Sequence, residues 1–425
     1  MKLTSYWLDT APRFTKGAHG VVHGSADVVV IGAGFTGLSA ALALAKKGAK
    51  VTVLEAGLVG NAASGRNGGM CNNGFAQDYA TLSAQLGRDT ANMLYRSFDA
   101  GVAKVESIIQ EEGIDCSFRR VGKLKLAAKP EHYDKLARSQ EILAREVDPD
   151  TRMVSASDIR NEMGCDRYFG GLLYEKSAGM HVGRFAHGLA EAAVRKGVRI
   201  YENSPMIGLQ RINGQRHVVK TADGSIEASQ VLLASGTSRF GPLGWFRRRI
   251  IPVGAFLIVT EPLRTTLLDQ LIPNRRMYVD TKNFVNYFRV TPDNRLLFGG
   301  RARFAESNPA SDAKSGMILT QALGETFPEL ANAQIDYCWG GMVDMTRDRL
   351  PRAGERNGVF YSMGYSGHGT HMSTYMGAVM ADVLDGRTDL NPWRDFEWKA
   401  IPGHFGKPWF LPLIGAYYRF QDFLR

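Results

Sequence analysis

Short apolar runs and stretches of helical periodicity alternate along the first part of the chain. Val28–Ile31 is a continuous run of β-branched residues, which is typical of a strand buried on both faces of a parallel sheet. Apolar residues then recur at helical spacing from Leu38 to Ala45, and residues 50–54 form a second apolar run. This order predicts a strand–helix–strand unit at the beginning of an α/β domain.

The hydrophobic pattern changes further along the chain. Residues 78–112 and 130–146 show helical periodicity, whereas residues 245–340 are rich in strand-like segments, with a turn signal at residues 292–294. The sequence therefore predicts an α/β fold in which a Rossmann-type domain is joined to a substrate domain built on an antiparallel sheet. The predicted boundaries are residues 1–90, 150–240 and 340–425 for the discontinuous first domain, and residues 91–149 and 241–339 for the substrate domain.

A glycine motif joins the first predicted strand to the first helix. Gly32, Gly34 and Gly37 have the G-x-G-x-x-G spacing, which permits a tight turn, close approach of the backbone to a pyrophosphate, and close helix–strand packing. Glu55 follows about 20 residues later, where a carboxylate accepts hydrogen bonds from a ribose hydroxyl. A glycine-rich turn in an ordinary βαβ unit is the alternative. The predicted dinucleotide contacts are Gly32, Ala33, Gly34, Phe35, Thr36, Gly37, Glu55 and Ala56.

Two further segments of small residues are candidates for the same ligand. The loop after Glu55 combines glycine, serine and asparagine with one arginine, so many backbone amides and a fixed positive charge can face a bound anion. The apolar run that begins at Val231 ends in small residues, and only a small turn lets a strand end pass beneath a dinucleotide. A flexible surface loop is the alternative for the first segment. The candidate residues are Ser64, Gly65, Arg66, Asn67, Gly68, Gly69, Ser235 and Gly236.

Composition and charge exclude several classes of protein. The 425 residues carry a formal charge of +10, but the basic clusters are short and no nucleic-acid motif is present, so we predict no nucleic-acid partner. The four cysteines are widely scattered without metal-ligand spacing, which predicts a reducing compartment and no metal site. The N-terminus has no apolar signal region, and no run approaches the roughly 18 apolar residues of a membrane span. We therefore expect a cytoplasmic protein.

The motifs together resemble the D-amino-acid oxidase and sarcosine oxidase superfamily of FAD enzymes. The resemblance rests on the glycine motif with Glu55, on the Ser-Gly-Arg-Asn-Gly-Gly loop, and on Gly-Tyr-Ser-Gly-His-Gly-Thr at residues 364–370. Residues 339–351 and 408–412 resemble the γ-glutamylputrescine oxidase-like branch. The resemblance implies that the first domain binds FAD, with residues 64–69 along the flavin. It places Gly367, His368, Gly369 and Thr370 near the pyrimidine edge, where amides at a helix N-terminus stabilise the negative charge of a reduced flavin.

Two positions depart from the pattern of that superfamily. Where sarcosine oxidases attach FAD through a cysteine, this chain has Gly341, so the resemblance implies non-covalent FAD. Where they bind the substrate carboxylate with a lysine, this chain has His371, which disfavours a small α-amino acid such as sarcosine. Arg289 is a candidate for holding a carboxylate, with a salt bridge at the sheet surface as the alternative. For His368, capping or packing is the alternative to a role at the flavin.

The resemblance implies an FAD-dependent oxidoreductase that oxidises the C–N bond of an amine to an imine by hydride transfer to the flavin. The expected substrate is a γ-glutamylated or acylated diamine, or a secondary amine, as in polyamine catabolism, and oxygen or a quinone is the expected acceptor. The candidate catalytic residues are His371, Met342 and Tyr287, with Met345 beside them, and each is equally consistent with a core position. A D-amino-acid dehydrogenase or oxidase is the first alternative. A nicotinamide-dependent dehydrogenase and an RNA-modifying flavoprotein are more remote.

The C-terminal tail from residue 408 is dense in aromatic and apolar residues. One interpretation is that it packs on the body of the protein, with Leu413, Tyr417 and Phe420 at helical spacing facing the core. The alternative is contact with a membrane beside a quinone, with Arg419 and Arg425 towards the lipid headgroups. Two prolines and a glycine interrupt a long amphipathic helix, so the pattern favours packing.

Overall fold

Two large β-sheets organise the protein, for which a computed structural model describes residues 1–300, 307–406 and 408–424. The described strands are, in chain order, β1 (Ser25–Ile31), β2 (Val51–Leu54), β3 (Met70–Cys71), β4 (Lys123–Leu126), β5 (Thr151–Val154), β6 (Gly171–Tyr174), β7 (Ala178–Gly179), β8 (Arg199–Tyr201), β9 (Gly208–Asn213), β10 (Arg216–Lys220), β11 (Ser225–Leu233), β12 (Ile251–Thr260), β13 (Met277–Asp280), β14 (Asn286–Val290), β15 (Leu296–Gly300), β16 (Ile335–Met345), β17 (Arg352–Arg356) and β18 (Val359–Met363). The described helices are α1 (Tyr6–Asp9), α2 (Phe35–Lys46), α3 (Tyr79–Leu86), α4 (Arg88–Glu112), α5 (Pro130–Glu146), α6 (Val182–Arg195), α7 (Gly244–Arg247), α8 (Thr265–Leu271), α9 (Pro309–Thr326), α10 (Gly369–Leu384) and α11 (Leu411–Leu424).

The first sheet has the strand order β17-β18-β11-β1-β2-β8, and β9 and β10 extend it from β11. Its pairs from β18 to β8 are parallel, whereas β17 and β10 pair with their neighbours in antiparallel directions. Alternate residues of β1 enter two cores. Val28 and Val30 pack in the core that contains helices α2, α4, α6 and α10, and Val29 and Ile31 pack on the opposite face. Both faces of β1 are therefore covered, which explains its continuous apolar run.

The second sheet has the strand order β16-β12-β15-β14-β13-β4-β6-β5, and its pairs are antiparallel except for β13 with β4. The predicted hairpin around residues 292–294 joins β14 to β15, and Asn294 adopts the left-handed conformation at φ 60°. Leu124 and Leu126 of β4 pack with Phe288 and Phe298 in an apolar core on one face of this sheet. The predicted α/β fold, with a Rossmann-type sheet and a mainly antiparallel second sheet, is confirmed.

The predicted domain boundaries do not coincide with the observed packing. Strands β5 and β6, which the boundary at residue 150 assigns to the first domain, join the second sheet through β4. Helix α4, assigned to the second domain, packs in the same core as α2 and α10, and β16 crosses the boundary at residue 340. The pattern of one element does not identify its packing partner, which is why these elements cross the predicted boundaries. The division into two domains stays a prediction.

The C-terminal helix differs from the predicted arrangement. Leu411, its first residue, is buried, whereas Leu413 and Tyr417 are 65% and 57% exposed. The prediction that Leu413 and Tyr417 face the core is therefore wrong, because the helix turns Leu411 towards the body of the protein. The predicted orientations of Arg419, Phe420 and Arg425 lie outside the described side chains. Within the described ranges, no helix combines the length and the apolar character that a membrane span requires.

Candidate active site

A cavity of about 1480 Å³ is lined by residues of both sheets. Ile31, Leu54 and Ala234 line one end, at the carboxyl ends of β1, β2 and β11, where parallel sheets bind their ligands. Residues of the second sheet and of α5 line the other end. The volume exceeds the ~300–1000 Å³ of a typical small-molecule site, so the cavity has room for a large ligand beside a small one. The predicted cofactor contacts that line it are Gly32, Gly34, Phe35, Thr36, Glu55, Ala56, Ser64, Arg66, Asn67, Gly68, Ser235, Gly236, Gly367, His368, Gly369 and Thr370.

The glycine turn between β1 and α2 shapes the first end of the cavity. Gly32 has a φ of +108°, and a Cβ atom on it would lie 2.7 Å from the carbonyl oxygen of Ala234. A Cβ atom on Gly34 would lie 2.9 Å from Ser64 Oγ, and one on Gly37 would collide with the carbonyl oxygen of Gly32. The turn therefore requires that these three side chains be absent, and it leaves the backbone open to the cavity.

Glu55 lies beside this turn and is largely buried. Its Oε2 accepts a hydrogen bond from the Ala33 amide at 2.7 Å, and its Oε1 accepts one from the Gly57 amide at 2.8 Å. Burial raises the pKa of the Glu55 carboxyl, and these two backbone hydrogen bonds act in the opposite direction. A carboxylate offers about four acceptor sites, so Glu55 can also accept from a ligand hydroxyl in the cavity.

The loop at residues 64–69 is held in place by bonds from distant segments. Arg66 donates from Nη1 to the carbonyl oxygen of Gly340 at 3.1 Å, and Trp7 donates from Nε1 to that of Asn67 at 2.7 Å. The Asn67 side chain accepts from Thr370 Oγ1 at 3.3 Å, which connects the loop to the beginning of α10. The loop is thus a fixed wall of the cavity, and the surface-loop alternative does not describe it.

Four of the predicted cofactor contacts lie behind the cavity surface: Ala33, Gly37, Gly65 and Gly69. Ala33 holds Glu55 through its amide, and the Gly65 amide donates to the carbonyl oxygen of Gly60 at 2.8 Å. These residues shape the turn and the loop from behind. Their direct contact with a cofactor stays a prediction.

Arg289 supports the same loop from the second sheet. It is buried, and it donates to the carbonyl oxygens of Gly69 and, at 3.2 Å, of Met180. Burial lowers the pKa of its guanidinium to about 10. Arg289 is not among the residues that line the cavity. This arrangement matches neither of the two roles considered for Arg289, which were to hold a substrate carboxylate and to form a salt bridge at the sheet surface.

The beginning of α10 forms a further wall. Gly367, His368, Gly369 and Thr370 line the cavity, and the side chain of the N-cap residue His368 makes no capping hydrogen bond. The first amides of an uncapped helix carry partial positive charge and favour an anionic ligand. Burial lowers the pKa of His368 to about 3, so its ring is neutral at physiological pH.

Asp344 positions the turn that leads to α10, a role that the sequence reasoning missed. Its carboxylate lines the cavity and accepts hydrogen bonds from the amides of Gly364 at 2.6 Å and Tyr365 at 3.2 Å. Burial raises the pKa of this carboxyl to about 6. The sequence offered no local signal for this role, because the two amides lie 20 and 21 residues further along the chain.

Two of the three candidate catalytic residues lie on the cavity. Tyr287 and Met342 line it, as does Met345, and a Cβ atom on Gly68 would lie 3.0 Å from the Tyr287 ring. These side chains therefore stand next to the loop at residues 64–69, where the flavin is predicted. Their catalytic role stays a prediction.

The third candidate catalytic residue, His371, lies outside this cavity, in the core position that was its alternative. The residue is fully buried, it does not line the cavity, and its ring lies 5.8 Å from that of Phe98 on α4. Neither ring nitrogen has a hydrogen-bond partner among the described residues. Thr370 faces the cavity and the next residue on the helix faces α4, because successive positions on a helix point in different directions. Burial holds the pKa of His371 well below its usual range.

The second end of the cavity carries several lysines that sequence reasoning did not select. Lys125 on β4, Lys129 and Lys135 at α5, and Lys282 after β13 all line it. Lysine and leucine alternate in β4 (Lys123–Leu126), but a single strand does not show what its polar face meets. These four residues, named the lysine wall below, come together only through the tertiary structure.

Comparison with known proteins identifies the family. Residues 27–383 match the family model described as FAD dependent oxidoreductase. The chain belongs to this family. It is 34% identical over 403 residues to the gamma-glutamylputrescine oxidoreductase of Escherichia coli, with 93% of this chain and 92% of the relative covered. It is also 34% identical over 411 residues to the probable oxidoreductase OrdL of Haemophilus influenzae, with the same coverage of both chains.

Solved structures of lower sequence identity share the fold of this FAD-dependent oxidoreductase. The L-proline dehydrogenase from P. horikoshii superposes with a TM-score of 0.71 at 21% identity, covering 88% of this chain and 98% of that one. The glycine oxidase from Geobacillus kaustophilus superposes with a TM-score of 0.69 at 22% identity, covering 90% and 99%. These likenesses support the α/β fold described above.

The residues of the first end of the cavity fit FAD. The glycine turn leaves a cradle that added Cβ atoms would fill, Glu55 retains acceptor sites, and the side chain of His368 does not cap α10. Together they offer a place for a pyrophosphate, a ribose hydroxyl and an electron-rich ring edge. Because the chain belongs to an FAD-dependent family, the alternative of a nicotinamide-dependent dehydrogenase is rejected.

FAD binding in this family member is non-covalent. Gly341 lines the cavity at the position of the attached cysteine, and no cysteine is present among the described residues that line it. Cys338 is buried and donates from Sγ to the carbonyl oxygen of Asp312 at 3.2 Å. Burial raises the pKa of its thiol to about 12, which keeps it protonated and unreactive.

Proposed function

We propose that this FAD-dependent amine oxidoreductase acts on a diamine with an acylated or γ-glutamylated far end. The observation that carries the proposal is the continuation of one cavity from the flavin end, past Tyr287 and Met342, to the lysine wall. A small amino acid would occupy only part of this length. The similarity to a gamma-glutamylputrescine oxidoreductase over nine-tenths of both chains supports the same class and a place in polyamine catabolism.

The chain's own residues act mainly by positioning and by electrostatics. When bound, FAD accepts the hydride that leaves the carbon next to the amine nitrogen. The apolar side chains of Met342 and Met345, with the Tyr287 ring, suit the methylene chain of a diamine and exclude water beside it. The cationic lining, which includes Arg66, favours the neutral amine over the ammonium form, and the neutral form is required for hydride transfer. The first amides of α10 would stabilise negative charge on a flavin edge bound against them.

The acceptor and the location of the protein are part of the proposal. We expect oxygen or a quinone to reoxidise the flavin. The four cysteines are free and buried, which supports the cytoplasm as the compartment.

Two features support contact of the C-terminal segment with a lipid surface. Trp409, Leu413 and Tyr417 are exposed, and Arg247–Arg249 line a groove together with Phe405 and Gly406, which precede Trp409 in the sequence. Deletion of residues 409–425 then abolishes co-sedimentation with anionic vesicles and leaves flavin content unchanged; loss of flavin or of solubility would favour packing instead.

A substrate panel tests the proposed function. The purified flavoprotein is mixed anaerobically with γ-glutamylputrescine, N-acetylputrescine, sarcosine or D-alanine, and loss of the visible absorbance of oxidised flavin is followed. We expect an acylated diamine to exceed both amino acids in kcat/KM by about tenfold or more, which corresponds to ~1.4 kcal/mol of transition-state stabilisation. The highest kcat/KM for sarcosine or D-alanine would instead favour the amino-acid oxidase or dehydrogenase alternative.

A further inference from the structure

The lysine wall concentrates positive charge in the part of the cavity that is lined by β4, α5 and the turn after β13. Its members come from separate segments: Lys125 from β4, Lys129 and Lys135 from the beginning of α5, and Lys282 from the turn after β13. His132 and Thr281, 2.7 Å apart between Nδ1 and Oγ1, join α5 to that turn. Within the described ranges, none of the four lysines forms an ion pair with a carboxylate.

Two carboxylates lie at the same end, but local bonds occupy them. Asp78 caps α3 and accepts from the amide and hydroxyl of Thr81 at 3.0 and 3.1 Å. Asp280 accepts from the amides of Lys282 at 3.2 Å and Asn286 at 3.0 Å. Burial also raises the pKa of Asp280 to about 6, which reduces its average charge near neutral pH. The four lysines therefore exceed the two acids in charge.

Lys125 is the most informative member of the wall. Its neighbours Leu124 and Leu126 point into the apolar core of the second sheet, so strand alternation directs Lys125 to the cavity. Burial lowers the pKa of its amine, the nearby charge of Lys135 lowers it further, and Asp78 acts in the opposite direction. Placing an amine in such a site without a paired anion costs free energy, which an anionic ligand would offset.

We propose that the lysine wall binds a carboxylate at the end of the amine substrate opposite the reacting nitrogen. The inference rests on the proposed function, and it makes Lys125 and Lys282 determinants of specificity for acyl groups that end in a carboxylate. Lysine suits this role because its ammonium is a point charge that contacts an anion without a fixed geometry. A neutral acyl diamine would reach the flavin but would leave the wall without a partner.

A matched pair of substrates tests the proposal. N-succinylputrescine and N-butyrylputrescine differ only in a terminal carboxylate against a methyl group. We expect the unaltered enzyme to prefer the succinyl compound. In Lys125→Met and Lys282→Met, KM for the succinyl compound should rise by roughly ten- to a hundredfold, with kcat little changed and with the butyryl kinetics unchanged.

The controls separate charge from folding. Lys196→Met removes an exposed lysine at the end of α6, outside the cavity, and should change neither KM. Lys135→Glu reverses an exposed charge of the wall with little risk to the fold, and should also raise KM for the succinyl compound. An equal rise of KM for both substrates, or no rise in any wall variant, would overturn the proposal.

A binding measurement distinguishes failure of the subsite from failure of the proposed function. N-butylsuccinamate has the carboxylate and the chain but no amine to oxidise, and calorimetry gives its affinity for the flavin-loaded protein. We expect binding to the unaltered enzyme and loss of at least about tenfold in Lys125→Met. Binding without oxidation of either putrescine derivative would retain the subsite and reject the function. Oxidation of both derivatives with no binding of N-butylsuccinamate would reject the subsite alone.

Discussion

At one end of the cavity a turn of three glycines leaves the backbone open, and at the other end the lining includes four lysines. The first end depends on Gly32, Gly34 and Gly37, because side chains at these positions would collide with neighbouring atoms. It also depends on Glu55, which follows the glycines closely in the sequence. The second end depends on the lysine wall, whose members come from separate segments. The cofactor end is therefore encoded in short stretches of sequence, whereas the substrate end forms only when distant segments come together in the fold.

The largest expected effect is at the first end. In Gly37→Ala the added methyl group collides with the carbonyl oxygen of Gly32, and rigid backbone cannot move aside as a side chain would. We expect the variant to retain no flavin and to unfold at a lower temperature than the unaltered protein. The absorbance ratio of flavin to protein and a thermal scan measure both. Gly244→Ala is the matched control, since nothing lies within 4 Å of its Cβ position; a yellow, equally stable Gly37→Ala protein would contradict the account of the turn.

Glu55→Ala should have the next largest effect. The change removes a charge-assisted hydrogen bond to the cofactor, about 1.5–3 kcal/mol, so the Kd for FAD should rise roughly ten- to a hundredfold. It also removes the acceptor of the Ala33 and Gly57 amides. Titration of the flavin-free protein with FAD measures the change, with the exposed Glu227→Ala as control. An unaltered Kd would mean that Glu55 does not contact the ribose.

A smaller effect is expected beside the flavin on the substrate side. Tyr287→Phe keeps the ring that packs near Gly68 and removes only the hydroxyl. If that hydroxyl positions the amine through one neutral hydrogen bond, kcat/KM falls about two- to tenfold, and the Kd for FAD stays the same. Steady-state kinetics and FAD titration are compared, with Tyr201→Phe on β8 as control. A kcat/KM equal to that of the unaltered enzyme would assign Tyr287 to packing alone.

His371→Leu should have the smallest effect on activity and a visible effect on acid stability. The folded protein holds His371 neutral in an apolar site beside Phe98. Below the ordinary pKa of 6.5, the unfolded chain binds a proton that the folded chain does not, so stability falls as the pH falls. We expect the variant to lose less stability between pH 7 and pH 5 than the unaltered protein, with kcat/KM within about twofold. The exposed His19→Leu is the control; a large loss of kcat with FAD bound would restore a catalytic role to His371.

The contrast between the two ends of the cavity explains which parts of the site could be predicted from the sequence. The glycine turn, Glu55 and the loop at residues 64–69 are short, contiguous signals whose physical requirement is local, and each of these segments lines the cavity. The placement of His371 failed because one helical position separates a residue facing the cavity from one facing α4. Arg289 and Asp344 act on backbone groups that are distant in the sequence. The lysine wall had no local signal, since a lysine that faces a cavity and one that faces solvent look alike.

The most direct test makes the same two measurements on one variant from each end of the cavity. The Kd for FAD and, at saturating FAD, the KM for N-succinylputrescine are determined for Glu55→Ala and for Lys125→Met. We predict that Glu55→Ala raises only the Kd for FAD and that Lys125→Met raises only the KM, each by roughly ten- to a hundredfold. A Lys125→Met protein that loses FAD affinity as strongly as Glu55→Ala, or a Glu55→Ala protein whose KM rises equally at saturating FAD, would contradict the division of the cavity into a cofactor end and a substrate end.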